Sequence, residues 1–245
     1  MPRIQPHRAE IAKGLHERVA ALGLGAPVAI RVSPRARRIL LRVDATGGGI
    51  ELVLPRAGSA EAGLKFLAAQ RGWVAARLRA LPPPVPFVED AVIPVWGRPH
   101  RIRRESSSAE APVAIVDGEI RVRGDPLHLG RRVRDHLIAL ARRELSARAR
   151  ELAEGLGQRV ERVAVRDTRS RWGSCSAKGS LSFSWRLVFA PDAVADYVVA
   201  HEVAHLIEMN HGPRFWRLVA TLVGDSQAPR AWLRRHRLVL MSYGG

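Results

Sequence analysis

His201-Glu202-Val203-Ala204-His205 is the run in this sequence whose residue types and spacing point most directly to chemistry. Histidines four residues apart sit one turn apart on one face of a helix, so both imidazoles can address a single cation. Glu202, beside the first histidine, is placed to reach a water on that cation rather than the cation itself. Zinc lowers the pKa of such a water towards neutrality, and a carboxylate then takes its proton. In a chain of this composition the five-residue pattern arises by chance in about 2% of cases. His211, six residues past His205, lowers that to below roughly one in a thousand if it is required as well.

The ligand set has two forms. In the preferred one the helix carries His201 and His205, the chain reverses, and His211 returns as the third ligand. Where one known spacing of this kind has glycine at the bend, this chain has Glu208. The helix is therefore expected to run to about Met209, with Asn210 taking the left-handed turn and Gly212-Pro213 redirecting the chain. Glu208 shares the face of the two helical histidines, which leaves it three roles: rival third ligand, partner of a ligand imidazole, or solvent-facing carboxylate. Three protein ligands leave a fourth position for water, as a catalytic zinc needs. A structural zinc wants four closed ligands, commonly cysteines, and Cys175 is the only cysteine.

Composition bounds the setting. The chain has 245 residues and 47% hydrophobic residues, enough to bury a core. Residues 1–14 hold no apolar run before a small-residue cleavage site, so no signal peptide is expected. No uncharged stretch is long enough for a membrane span, and a lone cysteine asks for no oxidising compartment. The expected setting is cytoplasmic. The net charge is +17, which can attract nucleic acid. It is spread evenly, however, with no basic tail and no basic stripe interleaved with aromatics, and only Lys13, Lys65 and Lys178 are lysines. Nucleic acid is therefore a weakly supported partner.

The elements that must position the site follow from periodicity. Val28–Val32, Arg38–Val43 and Ile50–Leu54 read as strands, with Gly47-Gly48-Gly49 as a hairpin turn. Ser59 can cap a helix running through Arg79. The run Leu81-Pro82-Pro83-Pro84-Val85-Pro86 ends it and is the best linker. Strands are expected at Ala91–Trp96, Arg98–Arg104, Pro112–Val116 and Glu119–Val122, the last two flanking Asp117-Gly118. A long amphipathic helix opens at Pro126 and ends at Gly155 and Gly157. Val160–Val165 and Leu181–Phe189 read as strands. Helices follow from Pro191 or Asp192 to about Met209, from Gly212-Pro213 to near Gly224, and from Pro229 to Val239. The division expected is 1–26 as an N-terminal segment, 27–130 as a β-rich region with one helix, and 131–245 as the catalytic region.

With these residues in view, Arg171-Trp172-Gly173-Ser174-Cys175-Ser176, Ser184-Trp185-Arg186-Leu187, the His201–His205 run and Asn210-His211-Gly212-Pro213-Arg214-Phe215-Trp216 resemble the YgjP-like zinc metallopeptidases, relatives of the SprT-like and WLM groups. The resemblance reaches from about Ile30 to Leu240, more loosely in its N-terminal part. It implies a zincin-type catalytic unit with the histidines as ligands and Glu202 as base, and it supplies no physiological substrate. The whole chain reads as α+β, a β-rich N-terminal half packed on a zincin-like catalytic half, with one zinc ion and a peptide or protein substrate expected.

The remaining marked residues carry alternatives. Arg169 or Arg171 is an oxyanion stabiliser, or Arg171 sits in a structural turn against a carboxylate. Tyr197 donates to a ligand, lines the cleft or packs. Cys175 is a small buried residue rather than a nucleophile. Phe215 and Trp216 anchor the helix junction. The strand Leu181–Phe189 is, by analogy with zincins, where substrate backbone would add. The activity expected is hydrolysis of peptide bonds through a zinc-activated water with Glu202 as general base. The rivals are a zinc-dependent hydrolase of small amides, and a nucleic-acid-associated module with a vestigial site.

Overall fold

Short aliphatic runs set the first sheet. β1 (Val28–Ser33) pairs in parallel with β3 (Ile50–Pro55), and β2 (Leu40–Val43) pairs with the other edge of β3 in antiparallel fashion, giving the order β1-β3-β2. As the central strand, β3 is apolar almost without interruption, as a strand covered on both faces must be. The protein is described from a computed structural model covering residues 18–44, 48–56, 58–105, 112–168 and 170–244. Gly47, in the expected hairpin turn, lies outside the described residues, whereas Gly48 takes the left-handed φ of 60°.

α1 (Ala60–Ala69) starts at Ser59, whose hydroxyl accepts from the Ala62 N–H at 3.1 Å. It lies so close to β3 that a Cβ on Gly63 would meet Leu54 Cδ2 at 2.7 Å. The single helix expected as far as Arg79 is two, because Gln70 leaves helical dihedrals (φ −92°, ψ 9°) before α2 (Arg71–Arg79) resumes. Ile50, Leu52, Leu54, Leu64, Leu67 and Val74 form the core of this unit, which ends at Pro83 inside the proline run.

The second unit begins at Pro84. Its first sheet has the order β4-β5-β7-β6, from β4 (Val92–Val95), β5 (Arg98–Glu105), β6 (Val113–Val116) and β7 (Glu119–Arg123). Asp117 and Gly118, with φ of 51° and 75°, make the tight turn between β6 and β7 as a two-residue hairpin requires. Pro126–His128 is a short 3-10 turn that feeds α3 (Leu129–Gly155). Val133, Leu137, Ala141, Leu145 and Ala149 make its apolar stripe, and they share one core with Ile93, Ile102 and Ile120 of the sheet.

A second sheet has the order β8-β10-β9, from β8 (Arg162–Arg166), β9 (Gly173–Cys175) and β10 (Ser180–Ser184). Two readings change here. The strand expected over Leu181–Phe189 stops at Ser184, and Trp185–Phe189 is a 3-10 helix with every residue buried, Arg186 included. In addition, β10 is the central strand, parallel to β8 and antiparallel to β9, so both its edges are paired and no further strand can add to it. The edge next to the His201–His205 motif is β9, in a segment read as a polar loop.

Three helices complete the unit: α4 (Asp192–Ala204), α5 (Pro213–Val223) and α6 (Gln227–Ser242). The class is therefore α+β. Among the described residues no helix is long and apolar enough to cross a membrane.

Candidate metal centre

α4 is apolar around most of its circumference, and Val194, Ala195, Val198, Val199, Ala200 and Val203 are all buried. A helix of that kind belongs inside a protein, so the polar residues it carries are held in place by packing. Arg148 of α3 ties down its first two turns, donating to Asp192 at 2.6 Å and Asp196 at 2.7 Å while its guanidinium lies 4.7 Å over the Trp96 ring. His201 and Glu202 stand in its last turn, and His205 is the C-cap residue.

The helix thus ends before the expected Met209. Leu206 N–H donates to the Val203 carbonyl at 2.9 Å and Glu208 N–H to that of Ala204 at 2.9 Å, which satisfies carbonyls the helix leaves open. Asn210 does not take the left-handed turn foreseen for it; among the described residues other than glycine, only Asp90, Trp96 and Asp117 have positive φ. The reversal is made by a tight bend in which Gly212 N–H donates to the Asn210 carbonyl at 2.7 Å. It returns His211 to the end of α4.

His201, His205 and His211 come together so that their ligand atoms all lie within 4.8 Å of one another, with Nε2 of His201 and Nε2 of His211 3.1 Å apart. Tetrahedral zinc bound to nitrogen at about 2.0–2.1 Å spaces its ligand atoms about 3.3 Å apart, close to that separation. Nδ1–H of His205 donates to the backbone carbonyl of Glu208 at 3.0 Å. That bond fixes the tautomer and leaves Nε2 with its lone pair free. Glu208 thus meets the site through its main chain, and its carboxylate is not part of the compact ligand group.

Phe215, fully buried at the start of α5, packs against all three imidazoles, with centroid distances of 4.9 Å to His201, 4.5 Å to His205 (stacked) and 4.7 Å to His211. Trp216 lies beside His201 and His211 and carries the Arg230 guanidinium over its face at 4.6 Å. Burial, then the neighbouring His205, His211 and Arg230, push His201 down to about 4; burial also lowers His205. Neutral imidazole is the form that binds a metal, so the donor set fits a zinc ion with three protein ligands.

Glu202 is buried at 6% exposure, and burial pushes its carboxyl up to about 7 against the downward pull of Arg171. It lies directly on β9: a Cβ on Gly173 would come within 2.5 Å of Glu202 Cγ and Oε1. Only glycine leaves room there. Beside His201 and Glu202 opens a cavity of about 550 Å³. Arg171 and Tyr197 line it together with Arg230, Arg234 and Arg237 of α6. The Tyr197 ring packs 5.9 Å from that of His201, and burial raises its pKa. Cys175 is half-buried, and burial, with Glu202 adding to it, pushes its thiol up to about 11. A thiol held protonated at neutral pH is a poor nucleophile. Arg169 lies outside the described residues.

The sequence reading did not single out Gly173, the contact of Phe215 with all three histidines, or the α6 arginines. The arginines at 230, 234 and 237 have the spacing of one helix face, so their signal was present. Gly173 carried none, because its role is to have no side chain.

The sequence matches the family described as YgjP-like, metallopeptidase domain, over residues 37–236. No curated protein matches it. Among solved structures, the crystal structure of the metallopeptidase zymogen of Pyrococcus abyssi abylysin is similar at 21% identity, covering 38% of this chain and 91% of that one, with a TM-score of 0.33.

Proposed function

The chain belongs to the YgjP-like metallopeptidase family, and on that premise we propose that it is a zinc-dependent peptidase of the cytoplasm, with His201, His205 and His211 holding one zinc ion and Glu202 as general base. The observation that carries the reading is the convergence of three imidazoles beside a buried glutamate whose carboxyl burial holds near neutrality. A base is most useful when its pKa lies near the working pH. A zinc ion held by these nitrogens supplies the Lewis acid that polarises a water and a peptide carbonyl. Glu202 takes the proton of the attacking water and passes it to the leaving amine. Gly173 and the packing of α4 hold that carboxylate in position. Arg171, whose charge is felt at Glu202, faces the same cavity and is the candidate to steady the oxyanion of the tetrahedral intermediate. Tyr197 lines the cavity beside His201.

Substrate backbone adds to β9 in this reading. That strand is an edge strand of its sheet, the one that Gly173 brings against Glu202. Main-chain hydrogen bonds along an edge give affinity without dictating sequence.

Metal analysis and a cleavage assay on a denatured protein test the proposal. Wild type is expected to hold one zinc, and His201→Ala with His205→Ala to hold none. Glu202→Gln should keep zinc and lose about 10²-fold or more in kcat, the usual size of a general-base contribution. Unchanged zinc in the double variant, or wild-type cleavage by Glu202→Gln, would sink it. Turnover of small amides with no cleavage of any peptide would move the activity to the small-molecule class.

A further inference from the structure

The cavity beside the histidines has an unusual charge balance. Its lining holds four arginines, Arg171, Arg230, Arg234 and Arg237, against one acidic residue, Glu202. Glu202 is itself buried and assigned to the chemistry, and it makes no ion pair with Arg230 or Arg234. Arg230, Arg234 and Arg237 fall at the i, i+4 and i+7 positions of α6 (Gln227–Ser242) and so share one face. Between them the helix turns Leu233 and Met241 into the same cavity, both buried. The wall is therefore a row of guanidiniums above an apolar floor, where water screens a bound charge less than it does at an open surface. Arg230 rests on the Trp216 ring, which itself packs beside His201 and His211, so its charge stands at the rim of the site. Neither Arg230 nor Arg234 makes an ion pair among the described residues.

Resting on the peptidase reading above, we propose that this cavity is a specificity pocket for an oxyanion carried by the peptide substrate next to the scissile bond, with Arg234 and Arg230 as its recognition residues. Guanidinium groups present paired N–H donors that match carboxylate and phosphate oxygens. A carboxylate can come from an acidic side chain or from a free C-terminus, and a phosphate from a modified serine. The shared chemistry is the anion, and the position of the pocket beside His201 and Glu202 sets where on the peptide that anion must lie.

The test uses the full chain with zinc bound and a set of peptides of one backbone sequence. One peptide carries glutamate near the cleaved bond, one glutamine, one lysine and one phosphoserine, each with a free and an amidated C-terminus. Binding is measured on Glu202→Gln and cleavage on wild type. An anionic peptide should bind at least about tenfold more tightly than its glutamine counterpart, as a charge-assisted bond implies, and the winning arm identifies the source of the charge. Arg234→Gln should collapse that ratio, Arg234→Lys should retain part of it, and Arg234→Glu should shift preference to the lysine peptide. Equal binding of anionic and neutral peptides, or a ratio untouched by Arg234→Glu, overturns the pocket. Binding with the expected preference but without cleavage of any peptide by wild type would instead overturn the peptidase reading and leave the pocket standing.

Discussion

At the scale of single residues, the His201–His205 motif rests on a contact that no side chain advertises. Gly173 gives Glu202 its floor, and the space a Cβ would need is already filled by Glu202 Cγ and Oε1 at 2.5 Å. Glu202 cannot retreat easily, because the helix beneath it is buried on Val199 and Val203. Gly173→Ala should therefore move the carboxylate rather than the backbone. On the proposed mechanism this variant should bind as much zinc as wild type, since the atoms nearest the added Cβ all belong to Glu202, while kcat falls about 10²-fold from the displaced carboxylate. Zinc stoichiometry and kcat measured on the same preparation check this, and a kcat within about threefold of wild type would mean that Glu202 does not depend on β9. The convergence of His201, His205 and His211 was legible in their residue type and spacing. What Glu208 does was not. A main-chain carbonyl has no residue type, so its bond to His205 at 3.0 Å leaves no mark in the sequence.

At the scale of elements, periodicity located the helices better than their ends. α4 stops at Ala204 because a bend held by main-chain bonds to Val203 and Ala204 takes over, and nothing in the residues Leu206 to Met209 is a strong helix breaker. Trp185–Phe189 was read as strand because a short apolar run looks the same whether it is a buried strand or a buried turn of helix. The start of α4 depends on a partner from far along the chain: Arg148 ties Asp192 and Asp196 to α3 and covers Trp96. The side chains are partly exposed, at 22% for Arg148 and 48% and 46% for the aspartates, so solvent screens the pairs. Arg148→Ala is expected to cost about 1–2 kcal/mol, from weakened ion pairs and the lost ring contact. Asp192 keeps its favourable place in the first turn of the helix, so α4 should survive. Urea unfolding at low and high salt is the measurement. A loss that does not shrink as salt rises would show that packing on Trp96, rather than charge, is what Arg148 contributes.

For the molecule as a whole, the two compact units divide between Pro83 and Pro84, inside the proline run, and the α+β class was legible in the alternation of strand and helix patterns. The parallel pairings of β5 with β7 and β8 with β10 were not, because partners joined by crossovers leave no local turn signal. The two units have separate cores, and every residue assigned to the metal centre and its cavity lies after Pro84. The second unit also closes on itself at its own ends. Val85 N–H donates to the Ser242 carbonyl and Gly244 N–H to the Val85 carbonyl, each at 2.9 Å. Buried Arg186 donates to the carbonyls of Leu240 and Met241 in the last turn of α6 and of Tyr243 at its C-cap. A fragment of residues 84–245 therefore retains all of these bonds. It should fold cooperatively, bind one zinc and cleave a reference peptide. A fragment starting at Phe87 removes Val85 and its two bonds to the C-terminal segment, a loss of about 1–3 kcal/mol that should lower Tm by several degrees for a unit of this size. Circular dichroism melts and zinc analysis of the two fragments decide the matter: if 84–245 fails to fold, or folds without zinc, the first unit is part of what builds the site.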